Sequence, residues 1–142
     1  QVKQAGELLD EFGNRLYLPR DVAVERDGER VEIDTESLPA AEPAMDIGAR
    51  TVSAYADILE DAGTVILNGP AGVFENDLFS FGTRELYEAA LRTDHSIVGG
   101  GDTAAALRSL GLEGFTHVST GGGAALRMLT GGTLPAVEVL DD

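Results

Sequence analysis

Apolar positions in the first third of the chain change from helical to strand spacing. In residues 2–12, "VKQAGELLDEF", they recur at helical spacing and Gly13 follows, which predicts an amphipathic helix. "RLYLPRDVAVE" contains two short β-rich runs separated by Pro19, and "VEI" at 31–33 predicts a further short strand. Residues 34–49 are rich in Pro, Ala, Glu and Ser and predict a loop.

From residue 50 onward, predicted helices and strands alternate. The predicted order is helix 50–61, a strand in "TVILNGP", a helix in "TRELYEAALR", a strand in "HSIVGGG", helix 103–110, strand 116–119 and helix 123–129. Strands that alternate with helices of this length favour a parallel sheet covered by helices on both faces. We therefore predict an α/β fold with a parallel, doubly wound (Rossmann-like) sheet in three α/β/α layers.

Length and composition indicate a single soluble domain. A chain of 142 residues can bury a core of its own. Although 43% of the residues are hydrophobic, no apolar run approaches the roughly 20 residues of a membrane helix. Acidic and basic residues interrupt the start of the chain, so we expect no signal peptide, no membrane association and a cytoplasmic location. The lack of cysteine excludes disulfides and thiolate zinc sites.

The charge of the chain is strongly negative. There are 25 acidic and 10 basic residues, for a net charge of −15, and Lys3 is the only lysine. Such a surface repels DNA and RNA, so we expect no nucleic-acid partner. The acidity can serve solubility alone or adaptation to a salt-rich cytoplasm, where ions screen self-repulsion. The scarcity of lysine favours the second, halophilic, interpretation.

Two segments run a strand into three glycines and then a helix: "SIVGGGDTAAALRSLG" (96–111) and "HVSTGGGAALRMLTGG" (117–132). The N-terminus of a helix presents unpaired N–H groups and a partial positive charge of about 0.5. Glycines before it allow an anion to approach, and two such loops at equivalent ends of a parallel sheet share one crevice. The pattern favours phosphate binding; tight strand-to-helix turns without a ligand are the alternative.

The first glycine triplet is followed by Asp102 and Thr103, and the second by Ala124. A bare carboxylate beside a phosphate is repulsive unless Mg²⁺ lies between them. The Thr103 hydroxyl can contact a phosphate or a metal-bound water. Capping of the helix by Asp102 and Thr103 explains the same residues equally well. One loop for a metal-bound phosphate and another for a bare oxyanion would suit phosphoryl transfer.

A third candidate segment is "LNGPAGVFEND", residues 67–77. Asn68 can donate to an anion, Val73 and Phe74 can shield a base, and Glu75 can accept from ribose hydroxyls. A simple turn followed by core residues is the alternative. A dinucleotide pattern is formally met by glycines of the first triplet, but the acid expected after the next strand is missing, which makes a nicotinamide dehydrogenase a weak rival.

The segments "LNGPAGVFE", "SIVGGGDTAAAL" and "HVSTGGGAALRMLTGGTLPAV" together resemble the C-terminal, nucleotide-binding half of phosphoglycerate kinase. Weaker similarity in "LPRDVAVE" and "MDIG" extends the resemblance over nearly the whole chain. The resemblance implies phosphoryl transfer between 1,3-bisphosphoglycerate and ADP, giving 3-phosphoglycerate and ATP in glycolysis. It also implies Mg²⁺ as cofactor and the nucleotide as ligand.

The resemblance assigns a role to each matching residue. It implies that Asp102 contacts the nucleotide's Mg²⁺ and that the phosphates are contacted by Gly99, Gly100, Gly101 and Thr103. It implies positions near the phosphates and base for Asn68, Pro70 and Val73, and contact with the ribose for Glu75. It also implies that the phosphoryl group in flight is stabilised by the loop of Gly121, Gly122 and Gly123. Two positions depart from the family: Leu67 replaces the usual tryptophan, and Ala71 replaces a common methionine.

The resemblance further implies that residues 1–142 are part of a nucleotide-binding domain. The family's N-terminal domain, whose arginines hold phosphoglycerate, and its lysine-bearing phosphate segment have no counterpart here. We therefore expect no kinase turnover from this chain alone, and an exposed apolar sheet edge that favours self-association. A free-standing module that binds mononucleotides or phosphate without catalysis is the alternative function.

Adaptation to salt predicts that the fold weakens when salt is removed. Because screening relieves the repulsion among acidic side chains, the melting temperature should rise steeply between low salt and molar KCl. Thermal unfolding followed by circular dichroism over a KCl series measures this. A melting temperature that does not respond to KCl would leave solubility as the sole reason for the acidity.

Overall fold

The computed structural model describes residues 2–134 and 138–139 of the chain. Its helices are α1 (Val2–Phe12), α2 (Ala49–Glu60), α3 (Phe81–Leu91), α4 (Gly101–Leu110) and α5 (Gly122–Leu129). Its strands are β1 (Asp21–Arg26), β2 (Glu29–Asp34), β3 (Asp46–Ile47), β4 (Thr64–Leu67), β5 (His95–Gly99) and β6 (His117–Ser119). Among the described helices, none is long and apolar enough to cross a bilayer.

The second half of the chain forms the predicted α/β unit. Strands β4, β5 and β6 make a parallel sheet in that order, with α3 and α4 as the connections between them. Tyr87 of α3, Val98 of β5 and Leu107 of α4 are buried together in its core. The predicted fold class is thus confirmed. Because the strands are parallel and in register, the segments that leave their carboxyl ends emerge at one edge of the sheet.

The first half contains a separate antiparallel sheet, in the order β2-β1-β3, which the alternating pattern does not predict. Strands β1 and β2 are joined by Asp27 and Gly28, whose φ angles of 53° and 80° form the tight turn typical of two-residue hairpins. The prediction of a strand before Pro19 is wrong: residues 16–18 have no strand partner within the described chain, and Leu18 is 60% exposed.

Apolar surface is exposed at the start of the chain and at one side of the parallel sheet. Helix α1 matches its predicted span, but it has no buried residue, and Leu8 and Leu9 lie exposed. Strand β4 has a strand neighbour on one side only within the described residues, and Ile66 is exposed there. These surfaces agree with the expected apolar edge, while self-association itself stays a prediction.

A buried carboxylate connects the antiparallel sheet to α2. Asp21 of β1 accepts hydrogen bonds from the Arg50 and Thr51 backbone N–H groups, at 3.0 and 2.8 Å, and from the Thr51 hydroxyl at 2.5 Å. Burial acts to raise the pKa of Asp21. The bonds from Thr51 and Arg50, together with the Arg50 charge, outweigh that effect and hold the pKa below its usual value.

Replacing Asp21 by Asn should destabilise the chain and change its response to acid. At pH 7 we expect a loss of about 1–3 kcal/mol, because charged hydrogen bonds to the start of α2 are removed. Since the folded pKa is lowered, the carboxylate contributes its full stability above the unfolded pKa of about 3.9 and loses it as pH falls through the folded pKa. The difference between wild type and variant should therefore shrink below about pH 4.

Urea unfolding of both proteins between pH 7 and pH 3 measures that difference. Asp57→Asn is the matched control, because Asp57 is an exposed acid on the same helix. Equal pH dependence in wild type, Asp21→Asn and Asp57→Asn would contradict the assignment to Asp21.

Candidate functional site

The three segments singled out in the sequence meet at one edge of the parallel sheet. Asn68 follows β4, the first glycine triplet ends β5 and begins α4, and the second begins at the N-cap of α5 and continues into its first turn. The Gly100 N–H donates to the Ser119 carbonyl at 2.9 Å, which joins the first glycine loop to the end of β6, just before the second. The two glycine loops therefore lie side by side at this edge of the sheet.

Glycine is required where the two loops touch. A Cβ placed on Gly122 would lie 2.8 Å from the Gly100 Cα and 3.2 Å from the Asn68 Oδ1, closer than unstrained packing allows. Gly100 itself has φ = 111° and ψ = 148°, a conformation that residues with a side chain rarely adopt. The loops and Asn68 thus form one cluster whose closeness depends on bare backbone.

Helices α4 and α5 both begin in this cluster, with Gly100 and Gly121 as their N-cap residues. Neither N-cap residue makes a side-chain capping bond within the described chain. The first N–H groups of a helix have no intrahelical acceptor, and they carry the positive end of its dipole. Two such termini side by side make this edge suited to anionic oxygens.

Asp102 lies in the first turn of α4 with its side chain exposed. It takes part in none of the ion pairs found among the described residues. The described chain also contains no group of three or more His, Cys, Asp or Glu side chains that could hold a metal by themselves. A cation at Asp102 would therefore need most of its ligands from a bound molecule and from water.

Thr103 is buried and its hydroxyl serves the protein itself. It donates to the Gly99 carbonyl at 2.9 Å and accepts from the Gly69 N–H at 2.8 Å. Neither bond is a helix cap, so the capping interpretation does not describe Thr103. Its side chain links the first glycine loop to the segment after β4.

Within the third segment, neighbouring side chains point in different directions. Phe74 packs against the core beside Tyr87, as the core interpretation predicts, whereas Val73 is 38% exposed. Asn68 and Glu75 are also exposed, and Pro70 is half-buried. The segment therefore offers an amide, an apolar surface and a carboxylate to a ligand at the sheet edge.

From Gly69 to Phe74, the backbone N–H groups of this segment are already occupied. Gly69 donates to Thr103, and the Ala71 and Gly72 N–H groups donate to the Thr83 hydroxyl at 3.1 and 3.2 Å. The Val73 N–H donates to the Met45 carbonyl at 2.9 Å. From this segment, an anion at the sheet edge could contact the side chain of Asn68. Free backbone N–H donors would come from the first turns of α4 and α5.

Sequence reasoning missed Thr83 and Tyr87, two residues of α3 that support the site. Tyr87 is buried, and its hydroxyl donates to the Gly69 carbonyl at 3.2 Å. Burial raises the pKa of Tyr87 to about 12, against a smaller opposite effect of a hydrogen bond with Thr103, so the phenol stays a donor at neutral pH. The available signal was two hydroxyl side chains four residues apart in a predicted helix, which places them on one face.

Asp46 anchors the N-terminus of α3. Its buried carboxylate accepts from the Arg30 guanidinium at 2.8 Å and from the Gly82 N–H at 2.9 Å. Gly72 packs directly on the same carboxylate, where a side chain would overlap it. The antiparallel sheet is thereby tied to α3 and to the candidate site.

Comparison with known proteins agrees with this arrangement. The family model described as phosphoglycerate kinase matches residues 1–132. The phosphoglycerate kinase of Natronomonas pharaonis is 73% identical over 141 residues, which make up 98% of this chain and 36% of that protein. That of Halobacterium salinarum is 57% identical over 142 residues, or 99% of this chain and 36% of that protein.

The fold also matches solved structures of this family. The crystal structure of phosphoglycerate kinase from Pyrococcus horikoshii OT3 superposes with a TM-score of 0.88 at 43% identity, over 99% of this chain and 36% of that one. The structure from Coxiella burnetii gives 0.82 at 41% identity, over 97% and 37%. The chain thus spans little more than a third of the length of these relatives. It belongs to the phosphoglycerate kinase family.

Proposed function

We propose that this chain is the nucleotide-binding portion of a phosphoglycerate kinase, and that it binds ADP or ATP at the edge formed by β4, β5 and β6. The whole enzyme would transfer a phosphoryl group between 1,3-bisphosphoglycerate and ADP, giving 3-phosphoglycerate and ATP. One observation carries the proposal: two uncapped helix N-termini and Asn68 meet in a single cluster. This edge can hold several phosphate oxygens at once.

Backbone N–H groups are the proposed phosphate ligands. A Cβ on Gly101 or Gly123 would meet no atom within 4 Å, so no other part of the described chain covers these two residues on that side. Gly99 and Gly100 hold the first loop in place. The hydroxyl of Thr103 is engaged within the protein, so Thr103 would contact a phosphate through its backbone N–H, as the last of the free donors at the start of α4. Asn68 adds a side-chain amide between the two loops.

Asp102 is the proposed ligand for Mg²⁺. Its exposed carboxylate lies in the same helical turn as the phosphate-binding N–H groups, where an acid alone would repel phosphates. Mg²⁺ commonly uses one or two carboxylates together with phosphates and water, so a single acid fits this cation. When bound, Mg²⁺ would neutralise charge on the nucleotide phosphates.

The second glycine loop is the proposed site for the phosphoryl group during transfer. In the ATP-forming direction, the bond between phosphorus and the acyl oxygen breaks as an oxygen of the ADP β-phosphate bonds to phosphorus. The N–H groups of Gly122 and Gly123 would then face the equatorial oxygens and stabilise their charge, while Gly121, whose N–H donates to the Ser119 hydroxyl at 3.2 Å, would hold the start of the loop. Ala124 places no acid next to them.

The segment after β4 is proposed to hold the nucleoside. Val73 offers an exposed apolar surface to the base, and Glu75 offers a carboxylate to the ribose hydroxyls. Pro70 fixes the backbone between Asn68 and these side chains.

The chain should bind Mg-ADP, and Asp102→Ala should weaken that binding. Loss of groups that support a metal costs about 10–100-fold in metal affinity, so removal of a direct ligand should raise the Kd at least about tenfold. Isothermal titration calorimetry in molar KCl measures both proteins. Asp94→Ala is the matched control, because it removes an exposed acid just before the opposite end of β5.

Equal, tight Mg-ADP binding by wild type and Asp102→Ala would exclude the metal role. Absence of binding by wild type would exclude a nucleotide site formed by these residues alone. A similar loss in Asp94→Ala would indicate a general charge effect instead of a ligand.

The 142-residue chain by itself should form no ATP from 1,3-bisphosphoglycerate and Mg-ADP. Relatives are nearly three times as long, and a surface with 25 acidic and 10 basic residues has few cations to hold phosphoglycerate. We therefore propose that the phosphoglycerate site lies in the part of the relatives that this chain does not match. A luciferase assay for ATP measures turnover, and ATP formation above the uncatalysed rate would refute the prediction.

A further inference from the structure

The backbone of residues 68–75 is held by side chains from outside that segment. The Ala71 and Gly72 N–H groups donate to the Thr83 hydroxyl, and the Gly69 carbonyl accepts from Tyr87. We call Thr83 and Tyr87 the α3 clamp. Thr83 has no exposed surface and Tyr87 is only 2% exposed, so both side chains of the clamp are shielded from solvent.

Apart from Pro70, the segment has little conformational preference of its own. Gly69 has φ = 114°, and Gly72 packs on the Asp46 carboxylate where a side chain would overlap it. Glycine visits many backbone conformations when free, so selecting one of them carries a large entropic cost. Contacts from a rigid helix are therefore needed to fix the direction in which the segment leaves β4.

The geometry of α3 suits this task. Thr83 and Tyr87 lie four residues apart, hence on one face of the helix, and they contact successive parts of the segment. The N-terminus of α3 is itself fixed, because the Gly82 N–H donates to the buried Asp46 carboxylate at 2.9 Å. The α3 clamp therefore belongs to a helix whose N-terminus is held by the antiparallel sheet.

We propose that Thr83 and Tyr87 are positioning residues: they hold residues 68–75 in the conformation that presents Asn68, Val73 and Glu75 to a nucleotide. This inference rests on the proposed function for the identity of the ligand. The clamp itself acts before any ligand arrives, so it can be tested on the free chain.

Thr83→Val tests the clamp with little change in side-chain volume. It leaves the Ala71 and Gly72 N–H groups without their acceptor, so their hydrogen exchange, followed by NMR in nucleotide-free chain, should accelerate at least about tenfold. The apparent Kd for Mg-ADP is inversely proportional to the fraction of chains in which residues 68–75 adopt the binding conformation. We therefore expect the Kd to increase roughly three- to tenfold. Thr83→Ser, which keeps the hydroxyl, should restore both values.

Thr51→Val is the matched control. Thr51 is also fully buried, and its hydroxyl also accepts two consecutive backbone N–H groups, from Arg20 and Asp21 at 2.9 and 3.1 Å. This variant should lose global stability as Thr83→Val does. It should leave the exchange of the Ala71 and Gly72 amides and the Kd for Mg-ADP unchanged.

Unchanged exchange at Ala71 and Gly72 in Thr83→Val would overturn the clamp. Faster exchange with a Kd no different from that of Thr51→Val would overturn the positioning role. If wild type binds no Mg-ADP, the proposed function fails, and the exchange data still decide whether Thr83 holds the segment. If Thr83→Val does not fold, Tyr87→Phe decides: a shifted Gly69 carbonyl resonance with weaker Mg-ADP binding supports the proposal, and no change in either overturns it.

Discussion

The candidate site depends on two stretches of backbone that approach each other without intervening side chains. Gly122 lies so near Gly100 that a single methyl group would collide with main-chain atoms. Strands β5 and β6 are hydrogen-bonded neighbours, so the helices that follow them begin side by side. Any larger residue at this contact would push α4 and α5 apart and separate the two sets of free N–H groups. The close packing of the loops and the proposed anion binding therefore have the same cause.

The local patterns in the sequence were sufficient for the α/β unit and the glycine loops. Apolar spacing predicted the second-half helices to within about two residues, and both glycine triplets lie where the chain passes from a strand into a helix, as predicted. The antiparallel sheet was missed because β3 has only two residues, too few to give a periodic signal. Asp27-Gly28 was a usable hairpin signal. Leu16–Leu18 resembles a strand in composition, but a strand also needs a partner.

The supporting residues of the site could not be predicted for a different reason. Thr83 and Tyr87 bond to residues 11 to 18 positions away in the chain, and such pairings leave no trace in local periodicity. The roles of Asp46 and Arg30 are equally non-local, because their contact joins two elements 16 residues apart. A sequence motif can identify the residues that face a ligand when those residues are close together in the chain. The hydroxyls and carboxylates behind them become recognisable only once the fold brings the elements together.

Because side chains of α3 and α4 hold the backbone of residues 68–75, the outward-facing side chains of that segment have no part in maintaining its shape. Ala71 contributes its N–H to Thr83, and Val73 contributes its N–H to Met45; every residue type except proline can do the same. Exchange of these two side chains would therefore leave both hydrogen bonds available, so the segment can vary in its side chains while its backbone stays in place.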